Sequence, residues 1–79
     1  MKITYDRIAN AAKLYLLPEY YGRHVSYTYL CDPSEIHGMI NLDFDEDGKL
    51  TGIEILGADK FLHKEILDMA DVRSNKNTH

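Results

Sequence analysis

The feature that most constrains this chain is a pair of alternating segments on either side of Asp47-Gly48. Residues 39–45 and 49–56 place apolar side chains at every second position, as strands with one buried face do. Asp-Gly between two such runs favours a two-residue type I′ turn, because both turn positions need a positive φ. We therefore predict an antiparallel hairpin that pairs Met39 with Leu56 and Phe44 with Thr51.

This register sorts the side chains of the hairpin into two faces, and a slip of one residue would scatter the apolar set. The predicted apolar face comprises Ile40, Leu42, Phe44, Thr51, Ile53 and Ile55. After Gly57 the apolar spacing becomes helical, which predicts one C-terminal helix with Asp59 as its N-cap. The side chains expected to pack from that helix onto the hairpin are Phe61, Leu62, Ile66 and Met69.

The remainder of the chain is predicted to form short elements. We predict strands at 2–5, 13–17 and 24–31, a helical turn within 6–12, a loop at 18–23 and a helical turn from Pro33. The fold class is therefore α+β: a small antiparallel β-sheet of about five strands with the long Asp-Gly hairpin, packed by one C-terminal helix. Residues 1–72 form the single domain and 73–79 a flexible tail, because no large apolar residue follows Val72.

Length and composition exclude several classes of protein. The chain has 79 residues, a net charge of −4 and a single cysteine, so an internal disulfide is impossible. It lacks both a membrane-spanning apolar run and a basic block, and we expect neither membrane nor nucleic-acid binding. A small core favours association, because association buries more apolar surface. The lack of disulfides favours a reducing, cytoplasmic setting. We expect a homodimer, with a protein partner as a further possibility.

One segment matches the calcium-loop pattern letter for letter. Asp43, Asp45 and Asp47 alternate, Gly48 follows, and Glu54 comes last, which supplies the oxygen ligands that calcium requires. Such loops lie between two helices, however, whereas the flanking residues here have the period of strands. We therefore predict a hairpin with an acidic turn, no metal site and no cofactor, and the calcium loop is the weaker alternative.

The residues that could bind a ligand or partner lie mainly before and after the predicted third strand. Tyr20, Tyr21 and Arg23 share a loop in which packing explains two adjacent tyrosines poorly. His24 follows them directly, and His37 lies at a strand entry, where loops often place functional groups. We take these five residues as the candidate binding set and identify no catalytic residue.

Two functional hypotheses follow. The first is a small cytoplasmic, non-enzymatic protein-interaction module that self-associates or binds a partner, since tyrosines are abundant and no convergent catalytic set is evident. The alternative is a small-molecule-binding protein or small enzyme with a Tyr/His-lined pocket. Cys31 could pair with a histidine as a nucleophile, but its alternation with Tyr29 favours a small buried hydrophobic residue.

Two stretches of the chain resemble a family of small prokaryotic domains of unknown function, DUF2283. They are the opening, residues 1–6, and the block 40–58 with its Gly-Ile-Glu-Ile-Leu-Gly-Ala ending. Family members usually carry Glu-Ala-Asp-Ala after the opening, where this chain has Ile8-Ala9-Asn10-Ala11. The resemblance implies a compact antiparallel sheet and a cytoplasmic setting, and it implies no catalytic residue.

Overall fold

The computed structural model describes residues 1–18 and 24–73, and these residues build one sheet with three short helices. The predicted α+β class is confirmed. The elements in chain order are β1 (Lys2–Asp6), β2 (Ala11–Tyr15), β3 (Tyr27–Leu30), α1 (Pro33–Ile36), β4 (Met39–Phe44), β5 (Leu50–Leu56), α2 (Ala58–Phe61), α3 (Lys64–Met69) and β6 (Asp71–Arg73).

The sheet has six strands in the order β3-β4-β5-β2-β1-β6. The first five strands of the chain pair antiparallel, as predicted, and β6 adds a short parallel strand outside β1. β6 was missed because its segment, at Asp71–Arg73, offers too few apolar residues for an alternating pattern. As a result β3 forms one edge of the sheet and β6 forms the other.

The central pair, β4 and β5, has the predicted register along most of its length. The pairs that agree are Met39–Leu56, Ile40–Ile55, Asn41–Glu54, Leu42–Ile53 and Asp43–Gly52. The ladder then shifts, so that Phe44 lies opposite Leu50 instead of Thr51. The alternation of apolar residues therefore sets the register, and the deviation is confined to the end beside the turn.

The two-residue turn predicted at Asp47-Gly48 is wrong. The Asp45 N–H donates to the carbonyl of Lys49 (2.9 Å) and the Gly48 N–H donates to the carbonyl of Asp45 (3.0 Å). This pattern closes a three-residue loop with a bulge, in which only Gly48 has a positive φ, of 78°. The buried Asp45 carboxylate also accepts from the backbone N–H groups of Asp47 and Lys49, which stabilises the longer loop.

The predicted helical turn within 6–12 is also wrong, because β2 begins at Ala11. The Asp6 carboxylate accepts from the backbone N–H groups of Ile8 and Ala9, which makes a tight turn after β1. Asn10 completes the reversal with a φ of 54°, a conformation that asparagine tolerates better than most residues. The turn thus returns the chain into an antiparallel strand rather than a helix.

The C-terminal region forms two short helices instead of one. Gly57, not Asp59, precedes α2 as its N-cap, with a φ of 70°, and Leu62 is extended at the end of that helix. α3 then begins after His63. The break removes Met69 from the predicted packing surface, and its side chain is 77% exposed.

The core lies between one face of the sheet and these helices. Ala12, Ile55 and Ala58 are buried at its centre. The partly buried side chains that pack around them are Tyr5, Leu14, Ile40, Ile53, Phe61, Leu62 and Leu67. Leu42 and Phe44 are half-buried and do not belong to this cluster, so the predicted core was placed too far toward β3.

Gly38, at the entry to β4, permits the approach of α2. A Cβ atom at Gly38 would lie 2.3 Å from Cζ of Phe61, well inside van der Waals contact. The Lys60 ammonium donates to the carbonyl of His37 at the same junction. The predicted division into a domain of 1–72 and a tail of 73–79 stays a prediction, since residues 74–79 lie outside the described part of the chain.

Candidate functional site

β3 is an exposed strand of the sheet. Tyr27, Thr28, Tyr29 and Leu30 are all exposed, and the fractions for the two tyrosines and the leucine are 57%, 49% and 50%. None of the four carries a charge. Sheet edges are usually protected by charged residues, proline or a covering segment, because an open edge can pair with another strand.

The free edge of β3 offers backbone hydrogen-bonding groups at two residues. The Cys31 N–H donates to the carbonyl of Ile40 on β4 (3.0 Å). Because hydrogen-bonded and non-hydrogen-bonded pairs alternate along an antiparallel ladder, Tyr29 and Tyr27 also turn their backbone groups toward β4. Thr28 and Leu30 therefore turn their N–H and C=O groups away from the sheet.

The usable length of this edge is limited at both ends. At one end the Ser26 N–H donates to the carbonyl of Phe44 (2.8 Å), which lies opposite Tyr27. The Ser26 N–H is thus turned toward β4. At the other end Asp32 caps α1, and its carbonyl accepts from the N–H groups of Glu35 and Ile36. The outward backbone groups of Thr28 and Leu30 lie between these two boundaries.

A polar network on the face opposite the core holds β3 in place. The Thr28 hydroxyl donates to the carboxylate of Asp43 on β4, at 2.8 Å. Asp43 is only 7% exposed, and its other oxygen lies 3.4 Å from the ammonium of Lys13 on β2. A hydrogen bond to a charged acceptor contributes about 1.5–3 kcal/mol, so this contact is a substantial part of the attachment of so short a strand.

On the core side, β3 is attached by an aromatic contact. The rings of Tyr27 and Phe44 are 5.9 Å apart and tilted by 36°. Aromatic pairs in this range stabilise a structure beyond the area that they bury. The strand is therefore anchored on both faces, and no other strand of the described residues pairs with its outer edge.

The opposite edge of the sheet, β6, differs in chemistry. It has only three residues, and Asp71 and Arg73 place a charged residue at each end. A short, charged strand is one of the ways in which proteins discourage edge pairing. The contrast identifies β3, and not β6, as the edge open to another strand.

The structure describes two of the five candidate binding residues predicted from sequence, His24 and His37. Tyr20, Tyr21 and Arg23 lie outside the described residues. His24 is exposed before β3, and His37 is exposed at the end of α1, where it has a φ of 56°. Cys31 is partly exposed rather than buried. A binding role for the five predicted residues stays a prediction.

The residues of the calcium pattern are used in the sheet and its turn. Asp43 contacts Thr28 and Lys13, as described above, and Asp45 accepts from two backbone N–H groups of its own loop. Glu54 accepts from the side-chain amide of Asn41, at 3.4 Å. Within residues 1–18 and 24–73, no group of three or more His, Cys, Asp or Glu side chains is arranged to hold a metal ion.

Sequence reasoning missed the edge site because it identified β3 as a strand without placing it in the sheet. Alternation gives the two faces of a strand but does not give its neighbours. The available signal was composition, since residues 25–31 contain no charged side chain. An uncharged strand is expected in the middle of a sheet, and here it lies at the edge.

The fold and the edge define a small α+β protein with one mostly antiparallel sheet and an open, uncharged strand. The model of a family described as a protein of unknown function, DUF2283, matches residues 2–58. The chain belongs to this family, as the two quoted stretches indicate. No curated protein and no solved structure matches the chain significantly. None of the helices in the described ranges is long and apolar enough to cross a bilayer.

Proposed function

We propose that this domain is a protein-interaction module that accepts an extended strand at the outer edge of β3. The observation that carries the proposal is the pair of outward backbone groups at Thr28 and Leu30, on a strand with four exposed, uncharged residues. Strand addition of this kind obtains affinity from main-chain hydrogen bonds and selectivity from alternate side chains.

The chemistry of the edge indicates the chemistry of the partner. Tyr27 and Tyr29 project on the core side of the sheet, and Thr28 and Leu30 project on the polar side. A strand bound here would lie beside aromatic and aliphatic groups, with no charge opposite it. The preferred partner is an uncharged extended segment rich in aromatic and β-branched residues.

The proposal also places the domain in the cytoplasm and gives it a non-enzymatic role. A single cysteine in 79 residues supports a reducing compartment such as the cytoplasm. The Asp43 carboxylate, which accepts from Thr28 of β3, is also engaged with Lys13 on the polar face. An interaction function therefore accounts for the exposed strand without assigning a reaction to it.

The test is a titration of the isotopically labelled full chain, followed by amide signals in NMR spectra. The probe is a capped hexapeptide of alternating threonine and tyrosine, added in excess. We expect the largest shifts, and slowed hydrogen exchange, at the outward amides of Thr28 and Leu30. A peptide N-methylated at alternate residues is the control, since it lacks donors for the edge.

The matched protein variant is Leu30→Pro. Proline removes the outward N–H at this position and leaves the bonds from β3 to β4 in place, because edge strands tolerate proline where the N–H faces solvent. The variant should remain folded and lose the peptide response at Thr28. Equal shifts with the methylated peptide, or shifts located away from β3, would contradict strand addition.

A further inference from the structure

We infer that the strand accepted by β3 is the β3 strand of a second copy, in an antiparallel register centred on Tyr29; this inference rests on the proposed function. A two-fold axis perpendicular to the sheet maps each face of β3 onto the same face of its copy. Residues that pair across the axis must therefore lie an even number of positions apart, which leaves few registers to compare.

The backbone geometry selects one of these registers. With Tyr29 opposite its own copy, Thr28 of each chain faces Leu30 of the other. Both residues of each chain turn their N–H and C=O groups outward, so every outward donor finds an acceptor and every outward acceptor finds a donor. The pairing is complete without any change in the fold of either copy.

The neighbouring registers leave these groups partly unpaired. A shift that places Thr28 opposite its own copy brings Leu30 against Ser26, whose N–H already donates to Phe44. A shift in the other direction brings Thr28 against Asp32, whose carbonyl already accepts from two N–H groups of α1. The first shift leaves the Leu30 carbonyl of each chain without a donor, and the second leaves the Thr28 N–H without an acceptor, so either shift loses main-chain hydrogen bonds that stabilise the pair.

The side chains are compatible with a second copy. Each chain carries a net charge of −4, which opposes association in general. The strands brought together contain no charge, and both copies of Tyr29 meet on the core side of the joined sheet. The pairing would thus remove an exposed, uncharged edge from each chain.

The selected register places Tyr27 opposite Cys31 of the second copy, in a non-hydrogen-bonded pair. The Cα atoms of such pairs are about 4.5 Å apart, within the range that a disulfide spans. Under mild oxidation, Tyr27→Cys should therefore form an intermolecular disulfide between the thiol introduced by this substitution and the native Cys31. Two cysteines four positions apart in one strand are too distant to bond within a chain.

The controls are Val25→Cys, which faces Cys31 only in a shifted register, and Thr28→Cys, which projects on the opposite face. We expect about tenfold more disulfide-linked dimer from Tyr27→Cys than from either control, because exchange requires both sulfurs within bonding distance. Peptide mapping should identify the bond between positions 27 and 31. Equal yields from Val25→Cys, or a map with another bond, would overturn the register.

Tyr27→Cys also removes the ring contact between Tyr27 and Phe44, so a second variant is needed that keeps this contact. Tyr29→Cys combined with Cys31→Ser leaves that contact intact and should link position 29 to its own copy. If neither variant links while the Thr-Tyr peptide still binds at β3, the second copy is rejected and strand addition stands. If the peptide also does not bind at β3, the proposed function is contradicted as well.

Discussion

Lys13 on β2 reaches Asp43 on β4 across the strand that separates them, with 3.4 Å between Nζ and Oδ2. The contact passes over Gly52 of β5, which lies opposite Asp43. A Cβ atom at Gly52 would be 3.2 Å from the Leu14 carbonyl oxygen and 3.6 Å from Oδ2 of Asp43. The glycine leaves the space in which the ion pair forms.

Gly52→Val should destabilise the protein even though valine favours strands in general. The added methyl groups would crowd the Leu14 carbonyl and separate Lys13 from Asp43, at a cost of about 1–3 kcal/mol. Urea denaturation followed by circular dichroism measures the loss. Leu50→Val, at an exposed position of the same strand, is the control and should stay within about 0.5 kcal/mol of the parent.

Gly38→Ala should destabilise the junction between β4 and α2. The new Cβ would lie 2.3 Å from Cζ of Phe61, so either the ring or the helix must move, at about 1–3 kcal/mol. Phe61→Leu shortens the opposing side chain and should relieve the clash. A double-mutant cycle in thermal unfolding checks this, and additive losses would show that the ring is not the obstacle.

Asn10→Asp should reduce stability through its contact with Asp59. The Asn10 amide donates to the Asp59 carboxylate at 2.9 Å, and its carbonyl oxygen accepts from the hydroxyl of Tyr5. A carboxylate at position 10 removes the donor and places like charges together, at about 1–2 kcal/mol. Adding Asp59→Asn should recover most of the loss in urea titrations, and no recovery would contradict a charge effect.

Ile55→Ala should cost more stability than Phe44→Ala. Ile55 is 5% exposed at the centre of the core, so its truncation leaves a cavity and costs about 2–5 kcal/mol. The sequence alone predicts that Phe44→Ala lowers the free energy of unfolding by about 3–5 kcal/mol, provided that the ring is buried. The ring is half-buried, so a smaller loss is expected. Paired urea titrations compare the two variants, and the reverse order would contradict this core.

Calcium should leave the melting temperature unchanged at about millimolar concentration, because only a ligand that binds the native state raises it. Asp43 and Asp45 already contact partners in the sheet and the turn, and a calcium site would have to displace them. Differential scanning calorimetry with calcium or with magnesium provides the comparison. A large upward shift specific to calcium would restore the metal hypothesis.

The prediction is most accurate for the β4–β5 hairpin, where side-chain alternation permits only one pairing of the two strands. The β4–β5 register follows from residues 39–43 and 52–56, because a slip would bury polar groups. Turn geometry was harder to predict, since the choice between loop lengths depends on Asp45, whose carboxylate stabilises the longer loop. The C-terminal break also escaped prediction, because Leu62 and His63 fit helical spacing in the sequence but have extended backbone in the structure.

The sequence by itself determined the α+β class, the antiparallel pairing of the central strands and membership of the DUF2283 family. These follow from local periodicity and from motifs that can be read along the chain. Only the tertiary structure decided that β3 is an edge, that Gly52 opens a space for Lys13 and Asp43, and that β6 closes the far side of the sheet. Strand order depends on contacts between residues distant in sequence, and local patterns do not encode those contacts.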